Sequence, residues 1–178
     1  HFEKVELIND FAVLIYGIKY LENNQFKTLQ NNTSYSNNSE SYHTIVGAGT
    51  GLGISRGIIS KTNIIVLPSE GGHIEFAPKT EEEWQLKQWL KNSLSIDRVS
   101  YERIISGEGL SNIAKWKFSK ENIKNHPFCD LLKQAEESNI VKKSLAGKIC
   151  QLAKEGDSLM LEIEKLWFEA YSSFIGDL

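Results

Sequence analysis

A change of period at Pro78 constrains this chain more than any other feature. Before it, short apolar runs are separated by glycine and polar turns. After it, apolar residues recur at helical spacing. Thr80 followed three residues later by Glu83 reads as a capping box, and Trp84, Leu86, Trp89, Leu90 and Leu94 then mark one helix face. A second helix is predicted from Ser100, carrying Tyr101, Ile104 and Ile105 until "SGEGL" breaks it at Gly107 and Gly109. "SNIAKWKF", "CDLLKQAEES", "VKKSLAGKICQLAKEG" and "DSLMLEIEKLWFEAYSSFI" continue helically. Upstream, "TIVGAGTGLGISRGII" reads as strand, glycine turn, strand, and "NIIVLP" as another strand ended by Pro68. Strands in the first half and helices in the second predict an α+β fold without an internal repeat.

The first segment, residues 1–22, starts as an apolar strand and changes character at Asn9-Asp10, both good N-cap types, so a helix is predicted from about Asn9. Residues 23–43 are rich in Asn and Ser and read as a surface loop with a short strand around Phe26 to Leu29. Residues 44–178 form the main domain. At 178 residues, with 40% hydrophobic and 24% charged residues, the chain has the composition of a water-soluble domain with a good core. Its net charge of −3 makes no electrostatic case for a nucleic-acid partner. No run of about 18 apolar residues predicts a membrane-spanning helix, and no secretory leader is visible. Cys129 and Cys150 read as buried thiols rather than a disulfide framework. Cytoplasmic localisation is the expectation. The opening on His1, with no initiator methionine, and the stop after "FIGDL" suggest a piece of a longer polypeptide.

Four glycines in "GAGTGLG" (Gly47 to Gly53) allow backbone N–H groups to approach an anion, and Thr50 adds a hydroxyl. A P-loop requires a Lys that this stretch lacks. A Rossmann turn, started at Gly47, requires glycine where Leu52 stands, and β-branched residues follow instead of a helix. A glycine-rich hairpin with no ligand uses the same residues, so the loop alone decides nothing.

"LPSEGGHIEFAP" (Leu67 to Pro78) places Glu70 and His73 three residues apart across Gly71 and Gly72. A carboxylate accepts from sugar hydroxyls and an imidazole both donates and accepts, so the pair suits a small polyhydroxylated ligand. A metal site needs more ligands at short spacing, and only Glu75 is near. The competing reading is a lone histidine in a polar turn. For Asn9-Asp10 the competing reading is an N-cap pair. The functional one makes Asp10 a general base for an alcohol. Glu102 has the plainest alternative, a solvated helical glutamate.

In order, "LINDFAV", "GAGTGLG", "LPSEGGHIEFAP", "EEEWQLKQWL" and "VSYERIISGEGLSNI" resemble the bacterial-type glucokinases of the sugar kinase/actin-like superfamily. The likeness runs from about Val5 to Ile113 and more loosely to Ile175. It implies a ribonuclease H-like, actin-like ATPase fold, of which this chain would be the large, sugar-holding lobe, shortened at both ends. It implies ATP-dependent phosphorylation of glucose at the 6-hydroxyl, the first step of glycolysis. Asp10 would be the catalytic base and Asn9 would bind the neighbouring hydroxyl. Glu70, His73 and Glu102 would bind the remaining ring hydroxyls. Gly49, Thr50 and Gly51 would approach the phosphates of ATP, which acts with Mg²⁺. A homodimer is the family expectation. An Asp-Gly-Gly-Thr phosphate loop and the adenosine motif of the superfamily are not found, so half of the ATP site is expected to be missing. The zinc cluster of the neighbouring repressor/kinase group is not found either. A sugar-binding or regulatory module without phosphoryl transfer is the alternative, and the retained Asp10 argues against it. An NAD-dependent dehydrogenase is disfavoured by the failed Rossmann spacing.

Overall fold

The computed structural model describes residues 7–25, 27, 29 and 40–178. It divides into two units. The first comprises His1–Gly47 and Gly53–Gly71, the second Ala48–Leu52 and Gly72–Leu178.

In the first unit, helix α1 (Asp10–Gly17) begins at Asn9, whose side-chain Oδ1 accepts the N–H groups of Phe11 and Ala12 at 3.0 and 3.2 Å. The N-cap predicted from the Asn-Asp pair is thus present. Three strands follow: β1 (Glu40–Ala48), β2 (Leu52–Ser60) and β3 (Ile64–Ser69), in the order β1-β2-β3. β2 and β3 pair antiparallel, with Ile54 opposite Ser69 and Ile59 opposite Ile64. Ala12 and Ile15 of α1 are buried, and α1 packs on β3. Gly53 and Gly57 make this possible. A Cβ at Gly53 would run into the Phe11 ring, and one at Gly57 would run into Ile15. Gly47 is also closed by Phe11, at 2.7 Å from an added Cβ. Two glycines of "GAGTGLG" therefore serve packing, as the hairpin reading of that stretch allowed.

Two strand limits differ from the prediction. β1 starts at Glu40, four residues before Thr44 and inside the segment read as loop. Its early residues are exposed, so the apolar signal that marks a strand is absent there. Pro68 does not end β3 but lies within it, opposite Ser55. β3 is an edge strand, where a missing N–H need leave no ladder bond unmade. The strand expected at Phe26 to Leu29 and the apolar start at Val5 fall largely outside the described residues.

In the second unit, α2 (Glu81–Leu94) starts at the predicted capping box: the Glu83 N–H donates to Thr80 Oγ1 at 3.2 Å, and Glu83 Oε2 accepts the Thr80 N–H at 3.2 Å. Helices α3 (Gly107–Lys120), α4 (Phe128–Glu137), α5 (Asn139–Lys154) and α6 (Ser158–Asp177) complete it. Leu86 and Leu90 of α2, Ile113 of α3, Leu145 and Ile149 of α5, and Ile163 of α6 are fully buried. At about 1.5–3 kcal/mol per buried aliphatic side chain, this core supplies the main driving force for the unit. Cys129 and Cys150 are free thiols, half-buried rather than buried.

The helix predicted from Ser100 is replaced by a single 3₁₀ turn, Tyr101–Arg103. "SGEGL" starts α3 instead of breaking a helix. Ser106 is its N-cap and accepts the Gly109 N–H at 3.1 Å. Gly109 is required there because a Cβ would strike the backbone of Ile104. The glycines mark a tight entry to a helix rather than an exit from one.

Candidate functional site

Two short segments of the second unit lie side by side. The Phe76 N–H donates to Val99 O at 2.8 Å, the Tyr101 N–H donates to Ile74 O at 3.0 Å, and Glu75 bridges Ser100 antiparallel. Tyr101 is 4% exposed and sits against Phe76 at 5.3 Å edge-on and Phe174 at 4.5 Å. Lys87 of α2 clamps the first segment, donating to Phe76 O at 2.7 Å and pairing with Glu75 at 2.8 Å. That hydrogen bond holds the Glu75 carboxyl below its usual range.

This ladder brings His73 and Glu102 together, since each is the next residue beyond a bonded one. His73 Nδ1 is 4.0 Å from Glu102 Oε1. The other carboxylate oxygen, Oε2, accepts the Leu52 N–H at 3.0 Å. Gly51 lies against the same oxygen, 2.6 Å from where a Cβ would stand. Gly72 is equally close-fitting, because a Cβ there would meet Leu52 O. The glycine loop, the histidine and Glu102 thus form one cluster. Glu102 is no solvated helical glutamate: its carboxylate is half-buried and fixed by backbone.

The backbone beneath Glu102 is fixed as well. Ser106, fully buried, donates its hydroxyl to Glu102 O at 2.7 Å. Trp167 Nε1 donates to Ser106 O at 3.1 Å, and Asn112 Nδ2 donates to Arg103 O at 3.0 Å. Hydrogen bonds of this kind hold the turn in one geometry.

In the first unit, Asn9 and Asp10 are exposed at the start of α1, and Asp10 Oδ1 accepts the Phe11 N–H at 2.9 Å. Glu70 is exposed directly after β3. The geometry therefore unites His73, Glu102, Gly51 and Leu52, whereas Asn9, Asp10 and Glu70 belong to the other unit.

The loop also borders a cavity of about 450 Å³ within the second unit. Gly49 O accepts the Gly107 N–H at 2.8 Å, which joins the loop to the first turn of α3. Glu108, Ser111, Asn112 and Lys115 come from one face of α3, at helical spacing, and Asn139, Lys142, Lys143 and Ala146 from one face of α5. Gly49 and Thr50 complete the lining. Glu108 Oε1 is 3.5 Å from both Arg103 Nη1 and Lys142 Nζ. No local sequence signal marks the lysines. The helical spacing of 108, 111, 112 and 115 was available, but nothing local links α5 to a loop ninety residues earlier.

The comparisons decide the family. The Glucokinase family profile matches residues 1–178. The chain belongs to the glucokinase family. A glucokinase of Trichormus variabilis is 34% identical over 181 residues, covering 98% of this chain and 52% of that relative. The chain thus spans about half the length of the curated relatives it matches. Among solved structures, a glucokinase from an Antarctic psychrotroph is similar, with a TM-score of 0.54 and 27% identity over 90% of this chain and 49% of that one. The glucokinase of Balamuthia mandrillaris, solved in complex with glucose, has a TM-score of 0.60 at 23% identity, over 77% of this chain and 36% of that one, and attests the fold alone. This glucokinase-family chain is α+β with a small sheet, and among the described residues no helix is long and apolar enough to cross a membrane.

Proposed function

We propose that the protein is the sugar-holding portion of an ATP-dependent glucokinase, which transfers the γ-phosphoryl group of ATP to the 6-hydroxyl of glucose. The observation that carries this reading is the Glu102 carboxylate. It is held on the Leu52 N–H, beside His73 and against Gly51 of the glycine loop. A fixed carboxylate next to an imidazole presents an acceptor and a donor-acceptor to neighbouring ring hydroxyls, which is what a sugar requires. In this reading Glu102, His73 and Glu70 bind ring hydroxyls. Asn9, whose Oδ1 is occupied at the helix start, offers its Nδ2 as a donor to the hydroxyl next to the reacting one.

Asp10 is the general base, taking the proton of the 6-hydroxyl as the oxygen attacks the γ-phosphorus. Gly49, Thr50 and Gly51 approach the phosphates, and Gly49 and Thr50 border the cavity that the phosphate tail enters. Mg²⁺ arrives with ATP as part of the substrate. Among the described residues there is no group of three or more His, Cys, Asp or Glu side chains that could hold a metal ion. The fold is then the large lobe of an actin-like ATPase, and the full enzyme is a cytoplasmic homodimer.

Calorimetric titration of the 178-residue chain with glucose tests the reading, with galactose as control. Glucose-selective binding is expected. No binding by a chain shown to be folded, nor by the full-length protein, would overturn it.

A further inference from the structure

Three lysines line the cavity beside the glycine loop: Lys115 from α3, and Lys142 and Lys143 from α5. Resting on the kinase reading above, we infer that these are nucleotide-binding residues, the cationic wall that receives the phosphate tail of ATP as it lies against Gly49 and Thr50.

The charge on the wall is the first argument. Against the three ammonium groups stands one carboxylate, Glu108, and it is shared between Lys142 and Arg103 at 3.5 Å each. Among the described residues neither Lys115 nor Lys143 has an ion-pair partner. Like charges gathered on a concave surface focus a positive potential and raise the local concentration of anions. Lysine acts on phosphate as a mobile point charge, so a polyphosphate chain is a fitting partner.

The second argument is placement. Asn139, Lys142, Lys143 and Ala146 share one face of α5, and fully buried Leu145 anchors the helix to the core. Ala146 keeps that face low, so the lysine stems have room. The opposite wall is Gly49 and Thr50, tied to α3 by the Gly49–Gly107 hydrogen bond. A cavity of about 450 Å³ suits a ligand larger than a single phosphate ion.

Structural duty does not explain the lysines. The Lys142 pair with Glu108 is surface-exposed on both sides, at 45% and 42%. Exposed pairs of this kind contribute little to stability. Replacing Lys142 and Lys143 should therefore leave the fold intact.

The test is calorimetric titration of the 178-residue chain and its Lys142→Ala/Lys143→Ala variant with ATP, tripolyphosphate, adenosine and glucose. The chain should bind ATP and tripolyphosphate, with affinity falling as salt is added. The double variant should bind both roughly tenfold or more weakly, a loss of at least about 1.4 kcal/mol, with glucose binding unchanged. Lys142→Arg/Lys143→Arg should restore most of the affinity. No ATP binding by the unaltered chain, equal binding by the double variant, or binding of adenosine but not tripolyphosphate would each overturn the assignment. Absence of glucose binding with lysine-dependent ATP binding retained would count against the sugar reading and leave the lysines standing.

Discussion

Glu102 gives its two carboxylate oxygens different neighbours. Oε2 fixes the Leu52 N–H at 3.0 Å, and Oε1 faces His73. That division depends on Gly51, because a methyl group there would stand 2.6 Å from Oε2. Gly51→Ala should push the carboxylate off the Leu52 N–H and weaken glucose binding by roughly tenfold or more, by a displacement of about an ångström at the site. Calorimetry checks it, and unchanged affinity would remove Glu102 from the sugar site. Asp10 carries a different expectation. Asp10→Asn in the full-length enzyme should lower kcat by orders of magnitude, because an amide cannot accept the hydroxyl proton, while glucose affinity is spared. Turnover equal to that of the unaltered enzyme would exclude Asp10 as the base.

At the scale of elements, the local rules read correctly and the tertiary ones did not. The Thr80–Glu83 box and the Asn9 cap were legible because each is completed within four residues. "SGEGL" reads as a helix break but starts one, because glycine is a stop signal only when nothing else needs the space. Here Gly109 clears the Ile104 backbone and Ser106 caps a new helix. The juxtaposition of His73 with Glu102 depends on hydrogen bonds between residues 74–76 and 99–101, which no periodicity announces. The start of α6 shows another long-range link. Asp157 Oδ1 accepts the Met160 N–H at 3.0 Å, and Oδ2 meets His126 Nε2 at 2.9 Å. Burial alone would raise the Asp157 pKa, but the Met160 N–H and His126 outweigh it and hold it below the usual value. A depressed folded pKa stabilises the protein above the unfolded carboxylate value, near 3.9, and the contribution is lost as pH falls through the folded one. Asp157→Asn keeps a capping oxygen and removes the charge. It should cost roughly 1 kcal/mol at pH 5, and the gap to the unaltered protein should close as pH drops below about 4. Thermal melts across that range check it, and a gap constant with pH would show that the charge is irrelevant.

For the whole molecule, the division into two units gives binding a local readout. All four tryptophans, Trp84, Trp89, Trp116 and Trp167, lie in the second unit, so tryptophan fluorescence reports the melting of that unit. His73 and Glu102 belong to it too, and both stand on segments packed into its core through Phe76 and Tyr101. A ligand held by those residues binds only while that core is folded. Its free energy is therefore added to the stability of the same unit. Glucose at about a hundred times its dissociation constant should stabilise it by roughly 2.7 kcal/mol. For a chain of this size that corresponds to a rise of roughly 5–10 °C in the tryptophan-monitored Tm. Galactose at the same concentration should produce no rise. If calorimetry showed glucose bound while the tryptophan transition stayed in place, the sugar would be held by the first unit. His73 and Glu102 would then be a structural pair, and the assignment of Glu70 would have to carry the site without them.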